Sequence, residues 1–529
     1  MLNSPTAPGT IRLAGRNPAL AMAVLLGSYL LLTSTVTLYE GVFVYDVKRV
    51  LQLLIFPVLF ATTLIVPPLR LAFQQRIRQL SGWKAGALLL ILTLGILSSI
   101  VHSSSAMSLF YSLAEVSLLA MLFASVLVVA ACRAVAGAQF DRAVLLFLSM
   151  VGVAVGLQEL LGVLAALEAG VEFHSRVALL HFSWPRFYNQ VQSWSIPAIA
   201  ALPLVFPGKP LARLLCTVAL ALEWYVVIAT GGRGTMLSVG LALLLVLVFL
   251  LGMRKTMIAC QLSGIIAGAL IYGIVVLGHQ QLPGHPVNRS AAASQSVLTE
   301  RSLSEPREDE NAKRPAADDS GKFMDPLVGQ RVWSSSGRIA MWRDALSEIP
   351  GSPLLGIGPM AYACTSPINQ AAHPHNFPLQ FALEWGIPAF LLLAVLAGSW
   401  IWKLQKSLCS PGQQEEPDRA LAGFFACGVL AALCHACLSG VLVMPASQLT
   451  GVLVCGTLVG LVRPRNSDGR GATAGGTIFL VCCLLVSLAL LEFARKEMAV
   501  AAIRLEQTAV MDQAIPRFWQ NGKVCRLYR

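Results

Sequence analysis

The chain has 529 residues, 56% hydrophobic and only 12% charged, against roughly 25% charged in an ordinary soluble domain. That composition excludes a soluble globular enzyme and predicts an all-α, polytopic integral membrane protein. The net charge of +12 is accounted for by orientation in a membrane and needs no nucleic-acid partner.

Apolar runs close to the ~20 residues that cross a bilayer recur at 19–38, 50–68, 84–101, 110–131, 143–168, 191–206, 214–230, 234–252, 256–278, 377–401, 420–441, 446–462 and 472–491. These make thirteen candidate spans, or twelve if the short 191–206 or one of the pair around Met444-Pro445 stays out of the membrane. Arg12 and Arg16 precede the first run without a small-residue cleavage site, so that run reads as a retained helix. Lys and Arg favour the cytoplasmic side. With the N-terminus inside, every inside segment carries at least two of them, for example Arg70, Arg76, Arg78 and Lys84. The short outside loops carry only Lys48, Arg49, Arg176, Arg186 and Arg233.

The chain divides into nine N-terminal spans (1–278), an outside loop (279–376), the C-terminal spans (377–491) and an amphipathic tail (492–529). Within the loop, 285–330 is polar and lacks hydrophobic periodicity, and reads as disorder or an insertion. From Ser336, apolar residues at Ile339, Met341, Trp342, Ala345 and Leu346 have helical spacing that stops at Pro350-Gly351. A Gly-rich turn and a second short helix follow, so 336–376 is expected to fold as a lid on the membrane face. The tail's "PRFWQNGKVCRLYR" carries aromatic residues suited to an interface.

Most cysteines lie in predicted spans, where a thiol acts as a small hydrophobe. "CHAC" at Cys434–Cys437 imitates a metal motif but sits within a helix without further ligands, and packing is the expected role. Cys364 and Cys525 fall outside the membrane and could pair if that compartment is oxidising. A metal site from Cys364, His373 and His375 lacks a known zinc spacing, and Glu40 with Asp46 is no more persuasive.

Charged groups inside spans are costly and are functional candidates by default. Glu115, Glu159, Glu223 and Glu384 all fall in the outer half of their helices. At the same level lie Arg186 in "SWPRFYNQVQSW", Arg233 in "TGGRGTM", Arg338 in "SSGRIAMW", and His373 with His375 in "HPHNFPLQFALEWGIP". Any one of these alone reads as a paired structural charge or an interfacial anchor. Their convergence from separate loops points to a site. Arginine forks suit phosphate oxygens, so the arrangement suggests a diphosphate neutralised by protein rather than by metal. His375 is the candidate general base, with His373 and Asn376 in support. No GxxxxGK[ST] supports nucleotide hydrolysis and no GxSxG supports a serine nucleophile.

Together, "RFYNQVQSW", "TGGRGTM", "SSGRIAMWRDAL", "PLLGIGPMAY" and "HPHNFPLQFALEWGIP" resemble the O-antigen ligase and polymerase superfamily, which includes bacterial O-linked oligosaccharyltransferases. The resemblance is clearest over 180–400 and implies a glycosyltransferase that needs neither metal nor cofactor. It implies an active site on the periplasmic side of a bacterial inner membrane and an undecaprenyl-diphosphate-linked glycan as donor. By family match His375 would be the catalytic base, and Arg186, Arg233 and Arg338 would bind the diphosphate; Glu384 joins His373 and Asn376 as a supporting candidate. The expected acceptor is the lipid A core. A growing glycan chain or a Ser/Thr of a protein such as pilin would make the chain a polymerase or an oligosaccharyltransferase instead. A lipid-linked glycan transporter is the more remote alternative, since no internal repeat is visible. Ligases of this kind commonly have twelve spans with both ends inside, so thirteen spans and an outside tail depart from the pattern.

Overall fold

The computed structural model describes residues 17–36, 44–80, 82–169, 179, 182, 184–249, 254–280, 337–365, 371–409, 416–462, 474–507 and 517–519. Among these residues the regular structure is helical and no strand occurs. The first half holds α1 (Pro18–Thr35), α2 (Val44–Ile65), α3 (Pro67–Gln79), α4 (Gly82–His102), α5 (Ala106–Ala136), α6 (Ala138–Glu168), α7 (Pro185–Ile199), α8 (Leu202–Val205), α9 (Pro210–Ala229), α10 (Arg233–Phe249) and α11 (Arg254–Gln280). After the large loop come α12 (Arg338–Glu348), a 3-10 turn (Ile349–Gly351), α13 (Ala361–Thr365), α14 (Phe377–Trp385), α15 (Ile387–Cys409), α16 (Glu416–Ala436), α17 (Pro445–Leu461) and α18 (Ala474–Gln507). Ten helices are long and apolar enough to cross a membrane, and Arg233–Val246 and Pro445–Leu461 are shorter apolar helices. The chain is a multi-pass membrane protein.

Local chemistry sets the helix starts. Asn17 caps α1 by accepting from the Ala19 amide at 3.1 Å, with Pro18 at the first helical position. Ser105 and Ser108 form a reciprocal capping box at α5. Close helix contact relies on small residues. At Gly456 a Cβ would lie 2.5 Å from the side chain of Val129 on α5, and at Gly268 it would lie 2.7 Å from the Ala221 carbonyl on α9.

The elements differ from the sequence reading in five places. The helix α2 begins at Val44, so Lys48 and Arg49, read as loop residues, lie inside it and are buried. The basic segment before Lys84 forms the separate helix α3, whose Arg76 donates to the carbonyls of Val459, Gly460 and Val462 and so caps the end of α17. The run 191–206 divides into α7 and the single turn of α8. The run 377–401 breaks at Gly386 into α14 and α15. Finally, α18 continues to Gln507, beyond the expected start of the tail at 492. The lid is helical from Arg338 to Glu348 and turns at Ile349–Gly351, as the spacing predicts. The stretch 285–330, Arg12, Arg16, Glu40, Arg176, Cys525 and the side chain of Cys364 lie outside the described residues.

The bundle has two polar ends. At one, Arg133 bridges Asp141 (3.1 Å) and Asp418 (2.9 Å) at the α5–α6 turn. At the other, the end of α4, the starts of α2, α5, α7, α10 and α17, and the lid gather round the histidine loop.

Candidate active site

The site rests on a deliberate break in a helix. Gly386 has φ +86, which only glycine adopts without strain. The loop 353–358 docks into the break: Pro353 O accepts from the Ile387 amide (2.8 Å), Leu383 O from Ile357 (2.9 Å) and Glu384 O from Gly358 (3.1 Å). Backbone groups freed by the interruption are thereby satisfied, as the membrane requires. A Cβ on Gly386 would come within 2.2 Å of the Leu354 carbonyl, so the two segments approach as closely as backbones can. This explains why "PLLGIG" and "EWGIP" belong together.

On that platform stand the histidines. Asn376 caps α14 by accepting from the Leu379 amide at 3.0 Å, so its side-chain oxygen is committed to the helix start. His375, just before it, has φ +53, an uncommon value for a residue other than glycine. His373 is buried; its Nδ1 accepts from the His375 amide at 3.2 Å, and the two ring centroids lie 4.3 Å apart. The His375 Nδ1 is sealed without a partner, so any exchange with a substrate falls to Nε2. The lid fixes the loop from above, where Trp342 Nε1 donates to the Pro374 carbonyl at 2.8 Å.

Each of the three expected arginines opens a helix: Arg186 in the first turn of α7, Arg233 and Arg338 at the first positions of α10 and α12. Helix starts present free amides and a positive dipole end, so guanidinium and backbone charges have the same sign. Arg233 reaches the site because Gly231 (φ +61) turns the chain sharply and Gly232 packs on Asn189 of α7, while Thr230 donates to Asn189 Oδ1 at 3.0 Å. Burial and then the charges of Arg186 and Arg233 lower the pKa of Arg338. Burial, then Arg338 and Arg186, bring His375 from 6.5 down to about 4, and His373 is also held well below 6.5 by burial and its cationic neighbours. The structure thus brings His375 and the three arginines into one electrostatic field centred on Arg338.

The four acidic residues separate in role. Glu223 is buried and accepts from Tyr188, Gln192 and Ser195, tying α9 to α7 rather than facing the site. Glu159 is also buried, in α6. Glu384 lies directly behind the histidine loop, accepting from the Tyr362 amide of α13 (3.3 Å) and from Gln380 (3.3 Å). Its ion-pair partner is Arg517 of the tail, which also reaches Glu115 at 3.3 Å. Both members of the Arg517–Glu384 pair are fully buried. The tail is held by Arg49, which donates to Phe518 O (3.0 Å), Gln448 (2.6 Å) and Val443 O (2.7 Å). Sequence reasoning noticed the tail's aromatic residues but not Arg517, because no periodicity or spacing connects position 517 to 384. Among the described residues no group of three His, Cys, Asp or Glu is placed to hold a metal ion.

The O-antigen ligase family profile matches residues 217–394. That match supports the O-antigen ligase superfamily. Arg233, Arg338 and His375 lie inside the matched O-antigen ligase domain, whereas Arg186 and Arg517 lie on either side of it and reach the site through the fold. The matched domain supports a glycosyltransferase of the O-antigen ligase and polymerase type. No curated protein matches the sequence.

Proposed function

We propose that the protein transfers a glycan from undecaprenyl diphosphate to a hydroxyl of the lipid A core, at the periplasmic face of a bacterial inner membrane and without a metal ion. The observation that carries this reading is the field around Arg338, on which Arg186 and Arg233 act, and which with Arg186 acts in turn on His375, each arginine standing at a helix start. Such a concentration of positive charge suits a dianionic leaving group. A platform built from a broken, re-satisfied helix supports placing that group at the membrane surface, with the lipid in the bilayer and the sugar in water.

In the reaction, His375 Nε2 takes the proton of the acceptor hydroxyl as its oxygen bonds to the anomeric carbon. The bond from that carbon to the diphosphate breaks, and the electron pair leaves on the phosphate oxygen facing the arginines. A neutral imidazole is needed for this, and the depressed pKa of His375 keeps it neutral at pH 7. The bound diphosphate offsets the arginine charges, so His375 becomes more basic when the donor is present. The driving force is the activated sugar-diphosphate bond.

The test uses purified protein in detergent with an undecaprenyl-diphosphate glycan and lipid A core, read on gels for the glycan-bearing product. Transfer that survives EDTA and falls by about 10²-fold or more in His375→Ala is expected. Transfer unaffected by His375→Ala would defeat the base assignment. Product formed only with a pilin-like protein or with a glycan chain would reassign the acceptor.

A further inference from the structure

The tail and the histidine loop share one support. Arg517, Phe518 and Trp519 are all buried, and the Arg517 amide donates to the Trp519 carbonyl at 2.9 Å. The Arg517 carbonyl accepts from the Tyr45 hydroxyl and lies 3.4 Å from Arg49 Nη2, both on α2. Tyr45 and Arg49 also stand against the Val443 carbonyl, at 3.1 and 2.7 Å. The Val443 amide in turn donates to Gly440 O at 2.9 Å, within the turn between α16 and α17. That turn carries the His373 ring: a Cβ on Gly440 would lie 2.7 Å from its Cε1 and 2.9 Å from its Nε2.

A backbone amide can only donate, so the contact from the His375 amide fixes His373 Nδ1 as an acceptor and leaves the ring proton on Nε2. A second proton would sit on Nδ1, against that amide, and the hydrogen bond beside the left-handed backbone of His375 would be lost. Burial first, then the charges of His375 in the same loop, Arg517 of the tail and Arg338 of the lid, hold His373 well below 6.5. Two carboxylates stand behind the loop, Glu384 on α14 and Glu115 on α5, and both reach the same nitrogen of Arg517, Nη2. Its Nε and Nη1, also buried, have no hydrogen-bond partner among the described residues. An arginine kept only to clamp the tail would use its fork. What this position supplies is a charge facing two carboxylates.

We propose that Arg517 is a positioning residue for the transfer reaction, holding the His373 ring as the hydrogen-bond acceptor that sets the backbone of His375. Without that cation, Glu384 and Glu115 are uncompensated and draw a proton onto His373. This rests on the reading of His375 as the base.

The experiment measures the pH profile, kcat and KM of glycan transfer by the purified full chain in detergent, alongside thermal unfolding of each variant. Arg517→Gln is expected to lower kcat about 10-fold at pH 7 with little change in KM for the donor. Its acid limb moves to higher pH, because His373 now takes a proton first, and activity recovers as the pH rises. Arg517→Lys keeps the charge and is expected to keep the wild-type profile. A purely structural arginine would change unfolding temperature and active fraction but not the shape of the profile. An unchanged profile in Arg517→Gln, or a Lys variant as impaired as Gln, would overturn the proposal while His375→Ala remains inactive. Transfer unaffected by His375→Ala would bring down the base reading itself. If Arg517→Gln does not fold, the charge-neutral pair Arg517→Gln with Glu384→Gln decides: Glu115 remains, so the limb still moves up, and an unmoved limb overturns the proposal.

Discussion

At the residue scale, His375 combines a left-handed backbone, one sealed ring nitrogen and a pKa of about 4. Because its charged form is disfavoured, protonation and loss of the base come only near that pH. The acid limb of kcat/KM, which reports the free enzyme, is therefore expected near pH 4 rather than 6.5. Replacing Arg338 with Gln removes a like charge, so the pKa rises and the limb moves to higher pH; a pH profile of that variant checks the direction. Burial is the larger cause and remains, so the limb stops short of 6.5. Arg338→Lys keeps the charge but loses the planar fork, and transfer is expected to drop about 10-fold. Wild-type transfer in that variant would argue against bidentate phosphate binding. His375 and the three arginines were legible in the sequence because charge near a membrane run is expensive and so conspicuous. Arg517 was not, since its role depends on contacts between segments far apart in the chain.

At the element scale, the lid, the broken helix and the tail share the carboxylate of Glu384. Arg517→Gln leaves that carboxylate buried without its counter-charge, which costs roughly 3–5 kcal/mol in comparable cases. A clear fall in unfolding temperature is expected, partly recovered when Glu384→Gln is added; no recovery would mean the pair is not the source of the loss. Gly386→Ala combines a left-handed φ with a Cβ 2.2 Å from the Leu354 carbonyl. Loop 353–358 should then undock, seen as faster protease cleavage within the lid. Hydrophobic runs foretold nearly every spanning helix, since length and apolarity are properties of a segment alone. They could not foretell the break at Gly386, because a glycine between apolar runs looks the same whether or not another loop fills the gap. Nor did they separate α3 from a loop, since its role in capping α17 is a tertiary one.

For the whole molecule, basic residues marked one end of the bundle as inside, and the structure collects the candidate site at the other end. In a cysteine-depleted background, a membrane-impermeant maleimide added to intact cells whose outer membrane is permeabilised should label Ser104→Cys, between α4 and α5, and spare Gly208→Cys, between α8 and α9. The reverse pattern would place the site in the cytoplasm and remove the periplasmic reading. Two of the three arginines, Arg186 and Arg233, belong to helices of the bundle, whereas Arg338 rides on the lid with Trp342. If the proposed diphosphate binds between the two parts, its charge offsets their mutual repulsion and favours the docked lid. Lid docking and anion affinity would then be thermodynamically reciprocal, so a mutation that loosens the lid is expected to weaken the ligand by the same factor. A compound that wedges the lid open at Trp342 would on this account act as an inhibitor without touching the place where the sugar reacts.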